Sequence, residues 1–245
     1  MYGFYYSGDM LYWIAFIAVI AITIWAQIQV SHNFKVYSEV RNRRGVSGAQ
    51  AAESVLRAHN VTGVGIEWVD GRLTDHYDPR DNTIYLSREV YYSTSIASVG
   101  VAAHEAGHAV QYAENYSPVR LRSAIIPATK IGWQFSFILI LVGMFLYSQT
   151  WFGVGVILFG ITTFFQLVTL PVEFNASSRA LATISGEQLL DEDEVVGARK
   201  VLKAAALTYV AALLTSLLQL LRFVAIFASM GGRGGGGGGN SGGGR

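Results

Sequence analysis

The segment from Leu11 to Val30, LYWIAFIAVIAITIWAQIQV, contains no charged residue. Its length matches the roughly 20 apolar residues an α-helix needs to cross about 30 Å of hydrocarbon. Buried helices of soluble proteins seldom run this long without a charge. Trp13 and Trp25 lie near its ends, where amphipathic rings favour the membrane interface. Two more charge-free runs, Ile131 to Tyr147 and Trp151 to Thr169, are separated only by Ser148, Gln149 and Thr150 and read as a transmembrane hairpin. In the second of these, Gly153, Gly155 and Gly160 offer small positions for close helix approach. A fourth run, Ala204 to Leu221, ends at Arg222 and either spans the bilayer or packs on a soluble part. The composition agrees: 14% of the 245 residues are charged, against about 25% in an ordinary soluble domain. The expectation is an α-helical membrane protein with three to four transmembrane helices.

Basic residues orient these spans. Lys35, Arg41, Arg43 and Arg44 follow the first run, and nothing basic precedes it. Arg120, Arg122 and Lys130 precede the hairpin, and Arg179, Arg199, Lys200 and Lys203 follow it. The positive-inside rule then places the N-terminus outside and both polar segments in the cytoplasm. The opening MYGFYYSGDM lacks the basic stretch of a cleaved signal, so the first run is expected to be retained. The layout expected is an N-terminal transmembrane helix over 1–30, a cytoplasmic domain over 31–130 and a hairpin over 131–169. A cytoplasmic segment over 170–203 follows, then a transmembrane or membrane-associated helix over 204–229 and a disordered glycine-rich tail over 230–245.

The first polar segment is predicted to be mixed α and β. Ser47 and Gln50 fit a capping box, with Asn60 as the stop. Three short extended runs follow: VGIEWV, RLTDHY and NTIYLS. Asp70-Gly71 predicts a hairpin between the first two, and Asp78 to Asn82 a turn into the third. A long helix is expected from about Ser95 to Glu114.

That helix carries VAAHEAGHAVQ, Val101 to Gln111. Residues i and i+4 share a helix face, so His104 and His108 can present both imidazoles to one metal ion. This is the HExxH arrangement of zinc hydrolases, in which the intervening Glu105 takes a proton from the reacting water. The flanks are small and apolar, so unpaired His and Glu would be costly to bury there. Gly107 weakens a helix interior by up to about 1 kcal/mol against Ala and suits a site where another segment comes close. The chain has no cysteine, which leaves His, Asp and Glu as the ligands available. The other histidines, His32, His59 and His76, lie in no comparable context.

Glu173, in LPVEFNASSRAL, is the best candidate for a third ligand. Pro171 suits a helix start, which would place Glu173 in the first turn, either as a ligand or as a carboxylate complementing the helix dipole. Arg179 and His76 are candidate donors to a reaction oxyanion, and NTIYLS is a candidate edge strand for substrate backbone. Asp191 to Glu194 reads as a solvated helix start. The net charge of +1 gives no reason to expect nucleic acid as a partner. HEAGHA also occurs in membrane-anchored AAA proteases, but no G-x-x-x-x-G-K-[ST] nucleotide loop is present.

The stretch DHYDPRDNTIYLSREVYYSTSIASVGVAAHEAGHAVQ, with LPVEFNASSRAL, resembles the YugP-like family of bacterial membrane zinc metallopeptidases, also called neutral zinc metallopeptidase family 2. The resemblance extends from the first span to about Lys203. It implies a small α+β zincin-like metalloprotease domain and a gluzincin-type zinc site. In that site His104, His108 and Glu173 would be the ligands and Glu105 the catalytic base. Together with the spans and the distribution of basic residues, the expectation is a multi-pass cell-membrane enzyme with its active site facing the cytoplasm, hydrolysing peptides or membrane-associated proteins. The alternative is an inactive metal-binding membrane scaffold. In better-known gluzincin membrane peptidases an E-x-x-x-D pattern follows the third ligand; here Ser177 stands at the aspartate position and Asn175 lies between.

Overall fold

The structure is a computed structural model that describes residues 2–231. The tail expected to be disordered lies outside the described residues, apart from Met230 and Gly231, which end the last helix. The elements are α1 (Tyr2–Ser38), α2 (Gly48–Ala58), β1 (Gly65–Val69), β2 (His76–Asp78), β3 (Thr83–Ser87) and α3 (Arg88–Tyr92). Then come α4 (Ile96–Ala113), α5 (Ser117–Phe145), α6 (Gln149–Gly186) and α7 (Glu192–Gly231). Among the described residues four helices, α1, α5, α6 and α7, are long and apolar enough to cross a membrane. Each starts before its charge-free run, and the fourth run lies within a single helix that starts at Glu192.

The chain divides into two compact units. One contains the described parts of Met1–Val19 and Leu213–Arg245, together with Ile125–Gln166. There α5 and α6 meet closely: a Cβ on Gly155 would lie 2.8 Å from the backbone nitrogen of Ile140, so only glycine fits. Phe137, Phe152 and Phe159 each pack edge-on against Phe223 of α7, and Thr163 and Ser216 share a hydrogen bond of 2.7 Å. Arg222 lies 3.8 Å from the centre of the Tyr12 ring, where the π face accommodates its charge.

The other unit comprises Ile20–Ala124 and Leu167–Ala212. Helix α2 is capped as expected: Gln50 N–H donates to Ser47 Oγ, and Ser47 N–H donates to Gln50 Oε1. The sheet corrects the sequence reading. Its order is β1-β3-β2, with β1 parallel and β2 antiparallel to β3. Asp70-Gly71 therefore turns the chain without pairing β1 to β2. The Asp78–Asn82 turn does join paired strands. Strand β3 carries NTIYLS and is central, hydrogen-bonded on both sides, so it cannot add a substrate strand.

Helix α4 lies in the core of this unit. Ala97, Val99, Ala102, Ala103, Ala106 and Val110 are fully buried against a cluster that includes Val55, Ile84, Leu86 and Ile184. The acidic start of α7 is ion-paired as well as solvated. Arg43 binds Asp191 and Asp193, and Arg44 binds Asp191.

Candidate metal centre

Helix α4 begins where expected: Ser95 Oγ accepts the backbone N–H of Ser98 at 3.1 Å, and the helix ends at Ala113 before Glu114. The i, i+4 spacing brings the His104 and His108 rings to 4.7 Å between centroids. On the same helix, a Cβ on Gly107 would lie 2.8 Å from the Ala176 carbonyl oxygen and 3.2 Å from its Cα. Glycine at this position lets the backbones of α4 and α6 come together, as the sequence anticipated.

Helix α6 places Glu173 opposite the histidines. Pro171 does not start a helix there; it lies inside the continuous helix Gln149–Gly186. Such prolines are tolerated in membrane helices, where surrounding groups compensate for the missing N–H bond. Glu173 is 3% exposed. Its Oε2 lies 3.3 Å from His104 Nε2 and 3.6 Å from His108 Nε2, and it has no hydrogen-bond partner. Its Oε1 faces Arg122 at 3.4 Å. Neighbouring ligands of a tetrahedral Zn²⁺, each bound at about 2.0–2.1 Å, are separated by about 3.3 Å. The unpartnered oxygen and the two imidazole nitrogens therefore fit a zinc ion. Among the described residues this is the one group of His, Asp and Glu close enough to hold a metal, its ligand atoms all within 4.8 Å of one another.

The outer nitrogens of both rings are also engaged. His108 Nδ1 lies 3.0 Å from Gln111 Oε1, and Gln111 Nε2 donates to the Val172 carbonyl at 2.8 Å and to Asn175 Oδ1 at 3.0 Å. A carbonyl can only accept, so the Gln111 amide must point its nitrogen at Val172 and its oxygen at the ring. His108 then carries its proton on Nδ1 and leaves the Nε2 lone pair toward Glu173. His104 Nδ1 is held by Ser177 Oγ at 3.1 Å. Thus Ser177, at the position where an aspartate was expected, and Asn175, through Gln111, both support the histidines with neutral groups. Burial opposes charge on His108, but the nearby carboxylates of Glu173 and Glu105 and the Gln111 contact outweigh it. Its pKa is held above the ordinary histidine value. A field that favours a proton on this ring also favours a metal cation beside it.

The site opens into a cavity of about 160 Å³. Val30, Phe34, Val101, Val201 and Leu202 supply apolar walls, and His104, Glu105, Glu173 and Ser177 the polar one. Asp75 and Tyr209 also line it. Asp75 accepts both the N–H and the hydroxyl of Ser87, at 2.8 and 3.0 Å. Burial raises the Asp75 carboxyl pKa, and the nearby charge of Glu105 adds to the effect against the Ser87 hydrogen bonds. The sequence reading did not single out Asp75, Gln111, Arg122 or Tyr209 as site residues; of these only Gln111 carried a signal, three residues beyond His108 on the same helix. The two candidate oxyanion donors are engaged elsewhere. Arg179 donates to Asn175 and pairs with Glu114 at 2.7 Å, and His76 contacts the Thr74 carbonyl and stacks on Tyr85.

Residues 12–228 match the family model described as "Putative neutral zinc metallopeptidase". The chain is 47% identical over 218 residues to the "Putative membrane protease YugP" of Bacillus subtilis (strain 168), covering 89% of this chain and 97% of that protein. No solved structure matches. With a match over nearly its whole length, the chain belongs to the neutral zinc metallopeptidase family.

Proposed function

We propose that this chain is a multi-pass membrane zinc endopeptidase with its active site on the cytoplasmic side, acting on peptides or membrane-associated proteins. Residues 31–130 form its small zincin-like domain, and the segment 170–203 brings the third ligand. His104, His108 and Glu173 hold the zinc. The observation that carries this reading is the buried, unpartnered Glu173 Oε2 facing two imidazole nitrogens. The relative's name, a membrane protease, and the four apolar helices support the setting. The distribution of Lys and Arg supports the orientation.

When bound, zinc would polarise the scissile carbonyl and acidify the attacking water. Glu105 lines the same cavity next to His104. Its carboxylate takes the proton of the water and delivers it to the leaving amine. The apolar wall seats an uncharged side chain of the substrate.

The test uses the detergent-solubilised, zinc-loaded protein on unfolded casein. Cleavage should stop on chelation and return with added zinc. Glu105→Gln should keep the metal and lose cleavage. Wild-type rates in Glu105→Gln would refute the assignment of the base, and bound zinc without any cleavage would leave a metal-binding scaffold.

A further inference from the structure

Peptide hydrolysis by this site needs a hydrogen-bond donor for the oxygen that gains charge as the carbonyl is attacked. Among the described residues lining the cavity there is no Lys or Arg. The side-chain donors there are the ring of His104 and the hydroxyls of Ser177 and Tyr209. His104 and Ser177 are bonded to each other at 3.1 Å. Tyr209, on α7, lines the cavity and is 37% exposed. It shares that cavity with the Glu173 and Glu105 carboxylates.

We infer that Tyr209 is a catalytic residue that donates its phenolic hydrogen bond to the carbonyl oxygen of the scissile amide in the transition state. This rests on the zinc-peptidase reading above. The water oxygen bonds to the carbonyl carbon, its proton passes to Glu105, and the carbonyl π pair moves onto the oxygen. Tyr209 donates a hydrogen bond to that oxygen and keeps its own proton. The C–N bond then breaks, the proton on Glu105 goes to the amine nitrogen, and the acid product releases its proton to solvent. The arrangement suits differential stabilisation: the donor bonds more strongly to the new negative charge of the transition state than to the neutral carbonyl of the substrate.

The experiment compares zinc-loaded wild type and Tyr209→Phe on a fluorogenic casein peptide that the wild type cleaves. It measures kcat and KM, zinc content, thermal unfolding, and affinity for a phosphinic analogue of the same peptide. Phenylalanine keeps the ring and removes only the hydroxyl. The expected result is a kcat lower by about 100- to 1,000-fold, KM within about threefold, and full zinc content. Phosphinic affinity should weaken in parallel with kcat/KM. An unchanged kcat overturns the assignment. So does loss of zinc, which would make Tyr209 a support for Glu173, or a fall in kcat with undiminished phosphinic affinity. If the wild type with bound zinc neither cleaves peptides nor binds the phosphinic analogue, the peptidase reading itself fails. If it does both and Tyr209→Phe matches it, only the role of Tyr209 fails.

Discussion

His108 and Gln111 form a pair whose direction is set from behind: the Val172 carbonyl requires the Gln111 nitrogen, so its oxygen must face His108 Nδ1 at 3.0 Å. Gln111 is fully buried, and its contacts link the α4 histidine to α6 on both sides of Glu173. Gln111→Ala should therefore weaken zinc binding by about 10- to 100-fold with the long apolar helices intact. Competition against a chelator of known zinc affinity measures this, and unchanged affinity would remove Gln111 from the support of the site.

The carboxylate of Glu173 is buried with one oxygen unpartnered, so a cation that satisfies it should stabilise the fold. A ligand that binds only the folded state at about 1,000 times its Kd contributes about 4 kcal/mol. Zinc should thus raise the melting temperature of wild type, and the rise should vanish in both Glu173→Ala and His104→Ala. Metal analysis of the same samples checks whether two residues distant in the chain bind one ion. A zinc-dependent shift that survives Glu173→Ala would place the metal elsewhere.

A methyl group at position 107 would meet main chain. With its Cβ 2.8 Å from the Ala176 carbonyl oxygen, Gly107→Ala must displace α6 or α4. Overpacking of this kind costs about 1–3 kcal/mol, against up to about 1 kcal/mol gained in helix propensity. A lower melting temperature and weaker zinc binding are expected together, measured by thermal unfolding and chelator competition. Gly107→Ala with wild-type zinc affinity would show that the close approach does not position the ligands.

Asp75 supplies a pH dependence of known sign. Burial raises its folded-state pKa above the ordinary 3.8, so the folded protein favours the protonated carboxyl. The associated stabilisation is complete below the unfolded value and is lost as pH rises through the folded one. Asp75→Asn removes this titration and can still accept the Ser87 N–H. Thermal unfolding of both proteins from pH 3.5 upward (on the order of the unperturbed aspartate pKa) should show wild type losing ground to Asp75→Asn as pH rises, then a constant difference. A difference that does not vary with pH would show that Asp75 does not titrate in this way.

Local chemistry made much of this protein legible. The Ser47–Gln50 cap, the ends of α4, the approach at Gly107 and the apolar helices follow from patterns within a few residues or from a charge-free length. Strand order did not follow, because β1 pairs with a strand beyond the next turn and no short-range signal outranks Asp70-Gly71. Pro171 misled for a different reason. Its usual penalty reflects an isolated helix in water, and prolines are tolerated inside long apolar helices of this kind. Glu173 had two equal readings on spacing, and the resemblance selected one; the structure adds the distances to His104 and His108. Tyr209 carries no signal in an apolar run, since its significance lies in what faces it from α4 and α6.

The contact between Gly107 and Ala176 joins main chain to main chain. Side chains can change rotamer, but two touching backbones can separate only if a whole helix moves. The spacing between the histidines and the glutamate is therefore a rigid dimension of the scaffold. Scattered changes in the surrounding core would leave it intact, whereas one added methyl at this point of contact would alter it.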